Sequence, residues 1–260
     1  MRLNRGGDRA PLFCAPTFGG GVSAYLDLAQ AVAPERSVWG IKAAGLRGEE
    51  LPSPDVPVMA AAYVREMREV ASGGPYLVAG WSFGAFVAYE VAQQLLALGE
   101  EVERLLLLAP PPQMPLPPPY AGIDDARRAH DEAIELVRMI LAETDGGRDA
   151  FLLEARLADV LESSRMGVLL DLAPDRRELL HQLRVRSVHM NAGERYRLRP
   201  YPGRITVVEG QQDGLAPDAV AGRWAPWARG GLDVVLVPGE HETVLQPPGA
   251  AEIARHLRPA

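Results

Sequence analysis

A chain of 260 residues that is 47% hydrophobic is long enough for one large domain with a substantial core. Its formal net charge of -7 argues against nucleic acid as a main partner. No apolar run approaches the length that spans a membrane, and the first residues resemble no signal peptide, so we expect a cytoplasmic protein. The single cysteine, Cys14, excludes an internal disulfide and a cysteine metal cluster, and its apolar surroundings predict a buried side chain.

Short apolar runs alternate with segments of helical length along the first 109 residues. The apolar runs predict strands at residues 11–15, 37–41, 75–80 and 104–109. Helical spacing predicts helices at residues 23–32, 55–71 and 85–98. This alternation indicates βαβ crossovers, and therefore an α/β fold with a mostly parallel central sheet and helices on both faces.

A proline-rich segment, residues 110–120, marks the point where the chain leaves the sheet. Residues 123–192 contain no strand-like run, and amphipathic helices are predicted at residues 124–143, 148–164 and 174–190. We expect them to form a helical lid over the carboxyl edge of the sheet. Strands at 204–210 and 232–239 and a helix at 249–260 complete one domain, with a core of about 8–111 and 193–260 and a lid of about 112–192.

The sequence Gly80-Trp81-Ser82-Phe83-Gly84 stands between a predicted strand and a predicted helix. A G-x-S-x-G sequence in that context is typical of a nucleophile elbow, a turn so tight that its flanks require glycine. The turn exposes Ser82 above the sheet, and the helix that follows presents free N–H groups to a developing negative charge. We therefore predict Ser82 as a catalytic nucleophile.

A serine hydroxyl needs a base to accept its proton, and His241 is the best placed of the five histidines. It follows the last predicted strand on a loop at the same edge of the sheet as Ser82. The order Ser, acid, His along the chain is the order of the α/β-hydrolase triad. The other four histidines fall within predicted helices and are interpreted as surface or packing residues: His130, His181, His189 and His256.

The acid that orients His241 should come from a loop after a strand that follows the nucleophile. Asp213 stands on the loop after the strand at 204–210 and is our choice. Glu209, within that strand, and Asp218, further along the loop, remain alternatives. Ala109 stands after the strand at 104–109, where no carboxylate follows until Asp124.

An oxyanion hole requires two backbone N–H groups aimed at the same oxygen. Phe83, directly after the nucleophile, should supply one. The other should come from the glycine-rich loop after the first strand, where Thr17 is the first choice and Phe18 the second. The spacing of these glycines does not match a dinucleotide site, so we expect no cofactor, and we expect no metal.

Four segments together resemble the thioesterases found at the end of nonribosomal peptide and polyketide synthases, members of the α/β-hydrolase superfamily. They are residues 11–32, 74–95, 189–210 and 237–245. The resemblance implies an acyl or peptidyl chain passed from the phosphopantetheine arm of a carrier protein to Ser82. Water would then release it as an acid, or an internal nucleophile as a lactone or lactam.

The resemblance leaves two roles open. Many terminal domains carry the triad acid at the position of Ala109, whereas freestanding editing thioesterases carry it one strand later, at the position of Asp213. The segment at 238–245 is more similar to the terminal class. An editing hydrolase that removes short acyl groups, a catalytically weak carrier-binding module and a generic carboxylesterase are the alternatives.

Five arginines crowd the end of the predicted lid and the residues after it. They suggest either a docking surface for an acidic carrier protein and its phosphate arm or an ordinary solvated helix face. The five are Arg184, Arg186, Arg195, Arg197 and Arg199.

Overall fold

A computed structural model of the chain describes residues 1–47, 50–111 and 176–258. The predicted helices at 124–143 and 148–164 lie outside the described residues, as does most of the proline-rich segment. The third predicted helix of the lid is present and extends five residues further than expected, to Arg195.

Six strands form one sheet in which every neighbouring pair is parallel. All six predicted strands are confirmed: β1 (Arg9–Cys14), β2 (Arg36–Gly40), β3 (Tyr76–Trp81), β4 (Val102–Leu108), β5 (Ile205–Gly210) and β6 (Leu232–Val237). Their spatial order in the sheet is β2-β1-β3-β4-β5-β6.

Helices cover both faces of the sheet, as the alternating pattern predicts. The helices of the described residues are α1 (Leu26–Val32), α2 (Val56–Val70), α3 (Phe83–Ala97), α4 (Arg176–Arg195), α5 (Pro217–Trp224) and α6 (Gly249–His256). Apolar residues of α1 and α6 pack on one face, and those of α2, α3 and α5 pack on the other. Helix α5 was not predicted from the sequence; it is an eight-residue helix that begins at a proline and buries Val220 and Trp224 one turn apart.

The central strands are buried on both faces, which explains why their apolar residues do not alternate with polar ones. In β4, Leu105 and Leu107 pack on the α3 side, whereas Leu106 and Leu108 pack on the α1 side. Cys14 is fully buried, as predicted, and burial raises the pKa of its thiol. This side chain is therefore a small hydrophobic group of the core.

A parallel sheet brings the carboxyl ends of all its strands to one edge. Five segments meet at that edge: residues 15–21 after β1, Ser82 after β3, Ala109 after β4, residues 211–213 after β5 and residues 238–245 after β6. The predicted site residues therefore come from separate parts of the chain to one place.

Candidate active site

Ser82 adopts a backbone conformation that few non-glycine residues adopt, with φ 54° and ψ -126°. Its N–H donates to the carbonyl of Leu108 at 3.0 Å, which fixes the turn to the end of β4. A Cβ on Gly80 would lie 1.9 Å from the carbonyl oxygen of Gly84, and one on Gly84 would lie 2.7 Å from that of Pro16. The turn therefore requires both glycines, as the sequence predicts.

His241 meets the predicted nucleophile directly: its Nε2 lies 3.1 Å from the Oγ of Ser82. The indole N–H of Trp81 donates to the carbonyl of His241 at 2.9 Å, and the two rings lie 5.5 Å apart. Trp81 directly precedes Ser82, so this contact fixes the loop of His241 to the elbow itself.

Asp213 contacts the backbone of the same histidine. Its Oδ1 accepts a hydrogen bond from the His241 N–H at 3.2 Å. Two further hydrogen bonds join the Asp213 and His241 loops, since Gln212 donates its N–H to the carbonyl of Gly239 and accepts from the Gly239 N–H at its side-chain oxygen. The acid loop and the histidine loop are therefore held together as one unit.

The two alternative acids do not contact His241. Glu209 is 3% exposed, and its Oε1 lies 3.9 Å from the guanidinium of Arg223 on α5. Burial raises the pKa of Glu209 to about 7, against the opposing effect of Arg223. Asp218 is exposed in the first turn of α5. Of the three carboxylates, the structure brings only Asp213 to the histidine.

Ala109 is fully buried at the end of β4. Its φ of 40° lies in the left-handed region, which Asp and Asn adopt more readily than alanine does. Its N–H donates to the carbonyl of Val208 at 2.7 Å, so the position is fixed beside the end of β5.

The backbone around Ser82 bears on the predicted oxyanion hole. Phe83 is the first residue of α3, so its N–H has no acceptor within the helix. Thr17 instead donates its N–H to the carbonyl of Gly21 at 3.0 Å, within its own loop, whereas the Phe18 N–H makes no hydrogen bond to any residue in the described ranges. The structure therefore favours Phe18, the second choice from the sequence, over Thr17.

A strained serine on a strand–turn–helix, beside a histidine, is the arrangement of a serine hydrolase. The family model that describes the thioesterase domain matches residues 10–260. The chain belongs to the thioesterase domain family.

Its relatives include large synthases. The thioesterase is 41% identical to indigoidine synthase of Dickeya dadantii (strain 3937) over 110 residues, and 27% identical to a dimodular nonribosomal peptide synthase of Bacillus subtilis (strain 168) over 270 residues. These alignments cover 42% and 99% of the thioesterase but only 7% and 10% of the two relatives. The chain thus spans a tenth or less of the length of either protein.

Solved structures share the fold. The Vlm2 thioesterase domain, solved with a bound dodecadepsipeptide, superposes on this thioesterase with a TM-score of 0.70 and 22% identity. The superposition covers 98% of this chain and 95% of that one. The α/β-hydrolase fold predicted from the sequence is therefore confirmed.

Helix α4 brings to the site a residue, His189, that was interpreted from the sequence as a surface or packing residue. His189 is 1% exposed, and its ring stacks on Phe83 with centroids 4.6 Å apart and planes at 16°. Its Nδ1 lies 3.0 Å from the carbonyl oxygen of Phe18. No motif marks this residue; the docking of α4 brings it to the loops.

The remaining histidines stay away from this contact. His181 lies two turns before His189 on α4, and His256 lies 3.5 Å from Glu252 on α6. His130 lies outside the described residues.

In the described part of the thioesterase, no cluster of three or more His, Cys, Asp or Glu side chains could hold a metal ion, and no helix is long and apolar enough to cross a membrane.

The described arginines lie in two places: Arg186 lies against Phe18, whereas Arg195, Arg197 and Arg199 line one pocket together with Glu90. Arg186 packs over the ring of Phe18, 6.0 Å from its centroid, and burial lowers the pKa of its guanidinium. Arg199 pairs with the buried Glu90 at 3.1 Å. Arg195 and Arg197 are exposed, and each donates to backbone carbonyls. The side chain of Arg184 is outside those described.

Proposed function

We propose that this thioesterase releases an acyl, polyketide or peptidyl chain from the phosphopantetheine thioester of a carrier protein, through an acyl-Ser82 intermediate. The observation that carries the proposal is the 3.1 Å contact between His241 Nε2 and Ser82 Oγ at the strained elbow. The curated relatives are synthases that build peptides and pigments, which supports a carrier-bound substrate. The proposal includes a cytoplasmic location.

In the first step, His241 Nε2 takes the proton of Ser82 as Oγ attacks the thioester carbonyl carbon. Nε2 is then the acceptor, so Nδ1 carries the hydrogen of the neutral ring. The N–H groups of Phe83 and Phe18 stabilise the tetrahedral oxyanion. When the intermediate collapses, the C–S bond breaks and His241 returns the proton to the departing thiolate. The products are acyl-Ser82 and a carrier protein with a free thiol.

In the second step, His241 acts as base again and accepts a proton from the nucleophile that attacks the acyl-serine ester. Water yields an acid, whereas a hydroxyl or amine of the same chain yields a lactone or lactam. Ser82 leaves as an alkoxide and recovers its proton from His241. The ability of a related domain to hold a dodecadepsipeptide supports a site for long chains.

In this proposal Asp213 is the triad acid. Its carboxylate already touches the His241 backbone, and the paired loops keep the two residues together. A negative charge beside the ring stabilises the imidazolium that forms in both steps.

A second candidate function is editing, in which short, wrongly loaded acyl groups are removed from carrier proteins. It is favoured by the acid at Asp213 combined with the absence of one at Ala109, the pattern expected of freestanding editing enzymes. The two functions differ in the preferred chain length. Faster turnover of acetyl and propionyl carrier protein than of long acyl or peptidyl carrier protein would favour editing.

Intact-protein mass spectrometry tests the proposal. The wild type is mixed with an acyl carrier-protein thioester and compared with Ser82→Ala, with Asp213→Asn and with Ser72→Ala, a control at an exposed serine. We expect an acyl mass increment on wild type and Ser72→Ala, a slow increment on Asp213→Asn and none on Ser82→Ala. Absence of both increment and turnover in the wild type, with carrier association retained, would support a binding module instead.

Oxygen esters distinguish the remaining alternative. A generic carboxylesterase would hydrolyse a small oxygen ester at least as fast as the matched carrier-bound thioester. We expect the carrier-bound thioester to have the higher kcat/KM, because the proposed substrate carries the phosphopantetheine arm and its protein.

A further inference from the structure

His189 contacts both residues whose backbone N–H groups we assign to the oxyanion hole. Its ring stacks face to face on Phe83, and its Nδ1 reaches the carbonyl oxygen of Phe18 at 3.0 Å. Phe18 and Phe83 also meet each other edge to face, with ring centroids 6.2 Å apart. His189, Phe18 and Phe83 therefore contact one another in every pairing, through two ring contacts and one contact to the Phe18 carbonyl.

The protonation of His189 follows from its surroundings. A carbonyl oxygen only accepts hydrogen bonds, so Nδ1 must carry the hydrogen and donate it to Phe18. Burial lowers the pKa of His189 to about 4, although the carbonyls of Phe18 and Thr17 favour the charged form. The ring is therefore neutral at pH 7, and the Nδ1–H tautomer is the one that this contact requires.

The contact also bears on the direction of the Phe18 N–H. That N–H belongs to the same planar peptide as the Thr17 carbonyl, and the two groups point in opposite directions. The Thr17 carbonyl accepts from the Gly20 N–H at 2.8 Å. With the next carbonyl held by His189 and the phenyl ring packed on Phe83, the backbone on both sides of the Phe18 N–H is fixed.

We propose that His189 is a positioning residue that sets the backbone of Phe18 and the ring of Phe83, and so aligns the two oxyanion donors. This inference rests on the proposed serine thioesterase mechanism and deepens it. His189 does not touch the reacting atoms; it acts through the two phenylalanines. Because it is on α4, the oxyanion hole is complete only when α4 is docked on the loop after β1.

Two substitutions separate the two contacts of His189. His189→Phe retains an aromatic ring that can stack on Phe83 but has no N–H to donate to Phe18. His189→Asn retains a side-chain N–H near the position of Nδ1 but has no ring. His181→Phe is the matched control, because it makes the same change two turns earlier on α4.

The measurements use the full chain with an acyl N-acetylcysteamine thioester as substrate and an alkyl trifluoromethyl ketone as inhibitor. Ser82 Oγ adds to the ketone carbon, and the oxygen of that adduct occupies the oxyanion site. We expect His189→Phe to lower kcat by about 10- to 100-fold, with KM within about twofold of wild type. The inhibition constant for the ketone should rise by a similar factor, and His189→Asn should recover part of both losses.

The results that overturn the inference are distinct. A folded His189→Phe with wild-type kcat, or one that loses kcat without losing ketone affinity, would show that His189 only fills space. If His189→Phe does not fold, His189→Asn decides. The inference then requires kcat and ketone affinity of His189→Asn to fall together while its KM stays within about twofold of wild type, and a loss of one without the other would overturn it. A wild type that neither turns over the thioester nor binds the ketone would contradict the proposed function itself.

Discussion

The carboxylate of Asp213 accepts a hydrogen bond from the backbone N–H of His241, so the acid contacts the main chain of the residue that it is proposed to activate. This contact gives Asp213 two separable effects. Its oxygen anchors the histidine loop, and in the proposed mechanism its charge stabilises the imidazolium formed during catalysis. An asparagine retains the first effect, because its side-chain oxygen also accepts from an N–H.

We predict that Asp213→Asn lowers the rate of Ser82 acylation by about 10²- to 10⁴-fold while leaving the melting temperature close to that of the wild type. Asp213→Ala should lose the anchor as well and be both less active and less stable. Rapid-quench assays measure the rate of Ser82 acylation, and thermal unfolding measures the melting temperature. Wild-type acylation by Asp213→Asn would reduce Asp213 to a loop anchor.

A carboxylate introduced at position 109 should partly replace the carboxylate that Asp213→Asn removes. The left-handed φ of Ala109 suits aspartate, and the position lies directly beside the end of β5. We expect Ala109→Asp to restore acylation by about tenfold in the Asp213→Asn background, and to have little effect on the rate when Asp213 is present. Equal acylation by the double and single variants would show that an acid at this position does not serve His241.

The second prediction concerns the close contact between the elbow and the loop after β1. A Cβ on Gly84 would lie 2.7 Å from the carbonyl oxygen of Pro16, next to the loop that carries Phe18. Gly84→Ala should therefore cost about 1–3 kcal/mol of stability and lower kcat, because the loop must move away from Ser82. Urea unfolding and steady-state kinetics with a small thioester measure these effects.

The matched control is Gly222→Ala on α5, where a Cβ would meet no atom within 4 Å. This change should stabilise the protein by up to about 1 kcal/mol, since alanine favours the helix more than glycine does. Unchanged kcat in Gly84→Ala would indicate that the loop after β1 does not need its present position for catalysis.

The sequence allowed most of the fold to be predicted, because its strands are buried on both faces and appear as continuous apolar runs. The same runs place Ser82, Asp213 and His241 at one edge, since each follows a strand. Helix α5 was missed because eight residues with two buried apolar side chains give little periodicity. Its burial depends on the sheet beneath it.

The details of the site depend on tertiary structure and were less predictable. Whether Thr17 or Phe18 presents its N–H depends on peptide orientation, which the side chains of a glycine-rich loop do not reveal. The role of His189 depends on how α4 docks, and nothing in its own helix distinguishes it from His181. Local pattern thus identifies the groups, and packing decides which of them meet.

A third prediction follows from the burial of Glu209. Its pKa rises from 4.5 to about 7 on folding, so the folded protein binds a proton that the unfolded chain has lost between these values. The contribution of Glu209 to stability is therefore greatest below pH 4.5 and is lost as the pH rises from 4.5 through 7. By pH 8 the contribution of Glu209 to the free energy of unfolding has fallen by about 3 kcal/mol.

We expect Glu209→Gln to abolish this dependence. The free energy of unfolding of the variant, relative to that of the wild type, should therefore be higher at pH 8 than at pH 5. Urea unfolding at both pH values measures it. Glu101→Gln, at an exposed carboxylate, controls for the loss of one acid. A difference between wild type and Glu209→Gln that does not change with pH would mean that Glu209 is ionised throughout, held by Arg223.

The last prediction concerns Arg195 and Arg197, two exposed arginines of the predicted docking surface whose guanidinium groups donate to backbone carbonyls, whereas the exposed Arg199 pairs with Glu90. Replacing both by glutamate should lower kcat/KM for an acyl carrier-protein thioester by about tenfold at low salt, because like charges slow the encounter with an acidic carrier protein. Turnover of a small N-acetylcysteamine thioester should not change.

The control is the pair Arg5→Glu and Arg65→Glu, which makes the same change in net charge at exposed positions near the beginning of β1 and in α2. Equal losses with both substrates, or an equal loss in the control pair, would assign the effect to stability or to net charge rather than to docking.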